Sequence, residues 1–588
     1  MGRGEDDVEM RPDSRSPSRS PGRVQSLLCR LLPLHYWHEV KELCGMAGPV
    51  FLSQIMVFLI NIVSSIFCGH LGKIELDSVT LAAAVINVSG ISVGSGLASA
   101  CDTLMSQTYG GKNLKRVGVI LQRGILILLL FCFPCWAIFI NTEQVLLLCR
   151  QNPDVARLTQ TYVMIFIPAL PAVFLYQLEI RYLQNQGIIW PQVITGVVVN
   201  FINAAINAIF MYILKLGVVG SAWANTISQF AMFGVLFIYI IWKKLHLSTW
   251  DGWSRDCLQE WGSFIRLAIP SMLMLCIELW SFEIGGFLAG LISIVQLGAQ
   301  AVMLEVSTAA YMIPVGFSVA ASVRIGNALG AGDVEQAKLS CKVSILCIVF
   351  CAVFTASLLA GLKDVLAYVF TTDREIVALI SHLMLIFAPF HLCDAIAGTC
   401  SGVLRGSGKQ KIGAIINAIG FYLVGLPTGI SLMFAVKLGV VGLWSGMIVS
   451  VFLQASFLVI YILRMNWEKA CQEAQVRAGV KKEDKEPSIS QMETSSTGFG
   501  IVANGNPHSF DAGYSHVDQD ITVGAAILPD VFFSEYHSEH LVFQEYPSEA
   551  SNEVLSTKQL ILRRGLVVCI AVLVLLTGVL IRIFTGNG

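Results

Sequence analysis

The chain has 588 residues, 55% of them hydrophobic and 13% charged, with mean hydropathy +0.68. Soluble domains carry about a quarter charged residues, so these totals exclude a soluble enzyme and indicate a membrane protein. A formal net charge of -1 provides no basic field for nucleic acid.

Residues 1–44 are polar and rich in Arg, Ser and Pro (RPDSRSPSRSPGR). They read as a disordered cytoplasmic tail. They contain no short apolar core with a cleavage site, so no signal peptide is expected. Asp6 stands where myristoylation needs Ser or Thr. Twelve apolar segments follow, each long enough for the ~30 Å of hydrocarbon in a bilayer. They are placed at 45–67, 78–104, 117–140, 158–180, 190–213, 218–241, 264–290, 297–321, 340–362, 376–400, 412–434 and 438–463. Residues 242–263 link the sixth and seventh. A polar stretch over 464–558 reads as a largely disordered cytoplasmic linker, and 559–588 holds a thirteenth span and a short extracellular end. The expected fold is therefore all-α and polytopic, with an N lobe (45–241), a C lobe (264–463) and one added helix.

The 16 cysteines lie mostly inside the apolar runs, which argues for buried thiols rather than a secreted disulfide framework. Cys132 and Cys135 form C-x-x-C, but within LLLFCFPCWAIF they read as packed thiols.

Alternate connections differ in charge. One set carries Lys112, Lys115, Arg116, Arg181, Lys243, Lys244, Arg255, Arg324, Lys338, Arg405, Lys409 and Lys411. The other carries Lys73, Arg150, Arg157, Lys215, Lys363, Arg374 and Lys437. The positive-inside bias places the richer set, with the N-terminus, in the cytoplasm and the C-terminus outside.

The two lobes repeat one another. Pro49 matches Pro270, Gly69 matches Gly290, Pro168 matches Pro389 and Gly187 matches Gly408, all at an offset of 221. KLGVVG at 215–220 recurs at 437–442. Six spans return a chain to its starting side, so the copies are parallel and related by an axis along the membrane normal. That is a transporter build with its site near mid-membrane. The copies differ where it matters. Glu278, Glu283, Glu305 and Asp394 fall opposite Val57, Ile62, Ala84 and Val173. Carboxyls at membrane depth are costly and mark binding sites or proton relays. Without Lys or Arg beside them in sequence, these four point to a proton or cation site.

Glu278 and Glu283 are five apart, about 140° around a helix, so they border a cavity rather than share a stripe. His391 lies three residues before Asp394, and its structural role outweighs a functional one. Trp280, Phe282 and Tyr311 supply faces for an organic cation, with aromatic packing nearly as well supported. Gln54 and Asn87 are polar at similar depth in the N lobe, with site lining and interhelical bonding evenly weighed. VLRGSGKQ fails the phosphate-loop spacing, since Val403 and Gln410 stand where Gly and Ser or Thr are needed. No metal-ligand cluster, nucleotide module or catalytic triad stands out, so ATP drive, cofactors and enzymatic catalysis are not expected.

CGHLGKIELDSVTLA, SACDTLMSQTYG, SVRIGNALGAGD, GVLRGSGKQ and the KQLILRRG lead-in to the last span closely resemble the multidrug and toxin extrusion family of vertebrates. The resemblance implies a proton-coupled antiporter that exports organic cations and cationic drugs across epithelial plasma membranes, on the apical side. It also places the family's acids on Glu278, Glu283, Glu305 and Asp394. The chain departs from the family pattern in two places. It reads E-L-W-S-F-E where animal members often have E-W-W-A-Y-E, and it has Asp394 where Glu is common. In this scheme a proton and an organic cation take turns on the same carboxyls while the lobes rock. Rival expectations are a sodium-coupled exporter using the same acids, a lipid-precursor flippase, and a receptor or channel. The flippase would need basic cavity groups, and the receptor or channel is disfavoured by the duplicated halves.

Overall fold

The computed structural model describes residues 34–69, 72–371, 373–480 and 555–586. Among them every regular element is helical. Lipid cannot satisfy exposed backbone groups, so helices that bond internally are the form expected of such apolar segments.

In chain order the helices are α1 (His35–Cys68), α2 (Ile74–Gly110), α3 (Leu114–Ile140), α4 (Pro153–Phe166 with Ala169–Asn185), α5 (Trp190–Ile213) and α6 (Gly217–Trp242). The C lobe holds α7 (Trp261–Gly290), α8 (Ile294–Ala331), α9 (Val334–Gly361), α10 (Arg374–Ser407), α11 (Gln410–Ala435) and α12 (Val440–Arg464). A short α13 (Trp467–Arg477) and the last span α14 (Thr557–Thr585) complete the chain. Among the described residues twelve helices are long and apolar enough to cross a membrane, and the bent α4 pair brings the number to the thirteen expected. Span α4 is bent by 58° at a break beside Pro168, where the ring removes a backbone donor and crowds the preceding turn.

The repeat is written into the backbone. Gly187 and Gly408 end the fourth and tenth spans at φ +77° and +78°, the left-handed position that glycine adopts without strain. Lys215 and Lys437 also share positive φ, as do Gly217 and Gly439. Five-residue π-helical turns end both α5 (Ile209–Ile213) and α11 (Ser431–Ala435).

Three local readings change. Helix α1 begins within the stretch read as tail, because Glu39 is held by Arg324, Gln336 and Ser340 of the C lobe. Arg181, Arg324 and Arg405, counted among the connections, lie on helices that continue beyond the apolar segments. Helix α13 occupies the start of the stretch read as linker, and Arg477 anchors it to Gln107 at 2.9 Å. The remaining tail and linker readings, at 1–33 and 481–554, fall outside the described residues.

Candidate functional site

The lobes meet along a seam at the end of the molecule that carries the basic connections. There the Thr103 hydroxyl donates to the Arg405 carbonyl at 2.6 Å, and Gln107 Nε2 donates to the Gly406 carbonyl at 2.9 Å. Leu43 and Ala47 of α1 pack with Phe317 and Ala320 of α8. Farther from that end, Gly96 packs on Met272, and the Cys276 thiol faces the Ser92 hydroxyl at 3.7 Å. Beyond these, Trp280 Nε1 donates to the Val88 carbonyl at 3.1 Å.

Helix periodicity then places the acids. Met272, Cys276 and Trp280 form the stripe of α7 that faces the N lobe. Glu283 lies eleven residues past Met272, about three turns, so it continues that stripe and is exposed there. On α8, Gly316 abuts the Ala47 backbone. Glu305 precedes Gly316 by eleven residues and is also exposed on the N-lobe side. Gln54 continues the α1 stripe of Leu43, Ala47 and Val50 and is half-buried, and Asn87, next to Val88, is exposed. The outward surfaces of α9 and α12 instead expose Phe350, Phe354, Phe452 and Phe457, as lipid-facing helices do. By this periodicity Gln54 and Asn87 fall on the interlobe side of the N lobe, and Glu283 and Glu305 on the interlobe side of the C lobe.

Glu278 and Asp394 face into the C lobe. Asp394 is 7% exposed, and Glu278 lies close enough to act on it electrostatically. Tyr311 of α8 hydrogen-bonds Glu278. Tyr311 can pack this closely against α10 because residue 398 is glycine: a Cβ there would stand 2.8 Å from the Tyr311 hydroxyl. Among the described residues, none of the four carboxyls forms an ion pair with Lys or Arg.

The other candidates sit apart from this trio. His391, 1% exposed, contacts the Thr355 hydroxyl at 2.8 Å and so faces α9. Phe282 enters an aromatic cluster with Phe390, Phe421 and Trp444 at 6.1–6.3 Å. Trp280 is half-buried on the seam.

Sequence reasoning missed a second charged group at the seam. Asp102, 3% exposed, accepts from Arg181 of its own lobe at 3.1 Å and lies 3.9 Å from Arg405 of the other. The N lobe also buries Glu179, whose Oε2 has no partner. An acid inside an apolar run and two arginines just past the ends of others were the available signal. Assigning both arginines to connections hid it.

Known proteins share this architecture. A family model described as MatE matches residues 49–213 and 270–430, one stretch in each lobe. Multidrug and toxin extrusion protein 2 of Mus musculus is 58% identical, over 94% of this chain and 93% of its own. Multidrug and toxin extrusion protein 1 of Homo sapiens is 54% identical, over 93% and 94%. The crystal structure of the eukaryotic MATE transporter AtDTX14 superposes with a TM-score of 0.73 at 30% identity, covering 75% of this chain and 99% of that one. With duplicated six-helix lobes and family matches on each, the chain belongs to the multidrug and toxin extrusion family of transporters.

Proposed function

We propose that this transporter exports organic cations and cationic drugs in exchange for protons, with Glu278, Glu283, Glu305 and Asp394 shared between the two. The observation that carries the reading is the Glu278–Tyr311–Asp394 trio, whose carboxyls sit on membrane-spanning helices with no Lys or Arg in ion-pair contact, Arg405 acting on Glu278 only from farther away. A cation or a proton can supply that neutralisation, and each excludes the other. Glu283 and Glu305, on the interlobe stripes of α7 and α8, supply the approach to the trio. Tyr311 and Trp280 offer aromatic faces to an organic cation. The basic end lies in the cytoplasm, as the charge bias of the connections supports. The protein then resides in the plasma membrane, apical in epithelia, in keeping with its resemblance to vertebrate exporters.

The cycle follows from charge. Facing the cytoplasm, the ionised carboxyls take a cation. Facing an acidic exterior, protonation removes the negative charge and the cation leaves. The neutral site then returns at lower cost than a charged one. The test is tetraethylammonium flux in reconstituted vesicles under imposed pH gradients, with and without sodium. Flux should follow the proton gradient and ignore sodium. Dependence on sodium alone would replace the proton by sodium as coupling ion. Glu278→Gln should reduce exchange by more than about tenfold with surface abundance unchanged. Undiminished exchange would remove Glu278 from the mechanism.

A further inference from the structure

The seam and the site are joined by a continuous line of contacts. Arg405 starts at the cytoplasmic end of α10, but its guanidinium reaches back along its own helix. Its Nη2 donates to the Ser318 hydroxyl at 2.7 Å, and that hydroxyl donates to the Gly398 carbonyl at 2.6 Å. Gly398 lies beneath the Tyr311 hydroxyl, which bonds Glu278. On its other side Arg405 lies 3.9 Å from Asp102 of the N lobe. The charged or titratable groups facing the guanidinium are Asp102 and Arg181 from the N lobe and Glu278 and Tyr311 from its own. Those facing Glu278 are Arg405, Tyr311 and Asp394.

We propose that Asp102 and Arg405 form an electrostatic latch that holds the lobes together at the cytoplasmic end, and that Arg405 is the positioning residue linking this latch to the binding site. Asp102 keeps Arg181 whichever way the lobes swing, because both belong to the N lobe. Arg405 has two possible counter-charges, Asp102 across the seam and Glu278 within its lobe. When Glu278 is neutralised, Asp102 is the one available and the latch is closed. When Glu278 is ionised and empty, it competes for Arg405 and the latch loosens. The protonated site still returns to the cytoplasmic side, and release of its proton there frees Glu278 to draw Arg405 away and hold the seam open for the next cation. Each state of the site thus biases one arrangement of the lobes, as coupling requires.

The inference rests on the reading that Glu278 is a shared carboxyl. Its test, hydrogen exchange in the purified full-length protein, uses neither drug nor gradient, so a failure here leaves the flux assay standing. Asp102→Asn should speed exchange over residues 100–110 and 318–331 by roughly tenfold, the effect of losing one charged contact. Residues 283–308, beyond the seam, should not follow. Asp102→Glu should behave as the parent protein does. Glu278→Gln, fixed in the neutral form, should slow exchange at the seam, and Ser318→Ala should erase that slowing. Arg405→Lys, which keeps the charge but loses the fork, should show the same local rise and serves if Asp102→Asn does not fold. Seam exchange unaltered in both Asp102→Asn and Arg405→Lys would overturn the latch, as would a rise spread evenly over the protein. Seam exchange unaffected by Glu278→Gln would overturn the link to the site.

Discussion

At the scale of single residues, the site depends on one missing methyl group. A Cβ at residue 398 would press on the Tyr311 hydroxyl from 2.8 Å, moving the tyrosine off Glu278. Gly398→Ala should therefore cut tetraethylammonium flux about tenfold, the value of one hydrogen bond to a charged group. Flux equal to the parent's, at equal surface abundance, would show that the tyrosine is not needed. The same scale clarifies the sequence departures. Phe282 is surrounded by Phe390, Phe421 and Trp444, a setting with no evident use for a phenol hydroxyl. Leu279 is 40% exposed, so an indole is not required there to fill a core. The four carboxyls were legible in the chain because an acid stands out in an apolar run. The partners of Glu278 and of His391 were not, since they lie on other helices: Tyr311 on α8 for Glu278, and Thr355 on α9 for His391.

At the scale of elements, α14 lies outside the repeat and packs along α3. Asn141 Nδ2 donates to the Gly578 carbonyl at 2.9 Å, and Arg582 pairs with Glu143 at 2.8 Å. At the other end Arg564 bonds the Leu258 carbonyl and covers the Trp261 ring at 4.3 Å. These contacts fall on the N lobe and on the approach to α7, away from Glu278 and Asp394. Ending the chain before residue 555 should therefore leave the KM for tetraethylammonium unchanged. It should lower the melting temperature by about 2–4 °C, through the lost buried bonds. An altered KM would place α14 in the transport path. Its length and its flanking Arg563 and Arg564 make this helix legible in the chain. The chain alone could not show which lobe the helix joins.

At the scale of the whole molecule, the seam closes because glycines let helices approach. A Cβ on Gly330 of α8 would lie 2.0 Å from the Gln107 carbonyl oxygen of α2, and backbone cannot move aside as a side chain can. Gly330→Ala should hinder closure of the seam by about 1–3 kcal/mol and slow turnover roughly tenfold. Normal turnover in vesicles would show that the lobes need not pack this closely. The chain alone determined that the protein spans a membrane, that its thirteen spans include two copies of one six-helix unit, and that the second copy carries acids where the first is apolar. Those features follow from segment length, fixed offsets and composition, all of which are local. Only the tertiary structure decided which face of each helix meets the other lobe. It put Glu283 and Glu305 on the interlobe stripes of their helices and Glu278 and Asp394 inside the C lobe, and it set Arg405 between Asp102 and Glu278. The physical reason is that a helix surrounded partly by lipid and partly by protein is apolar on nearly every side. Its rotation therefore leaves little trace in the sequence and is fixed only when the helices pack.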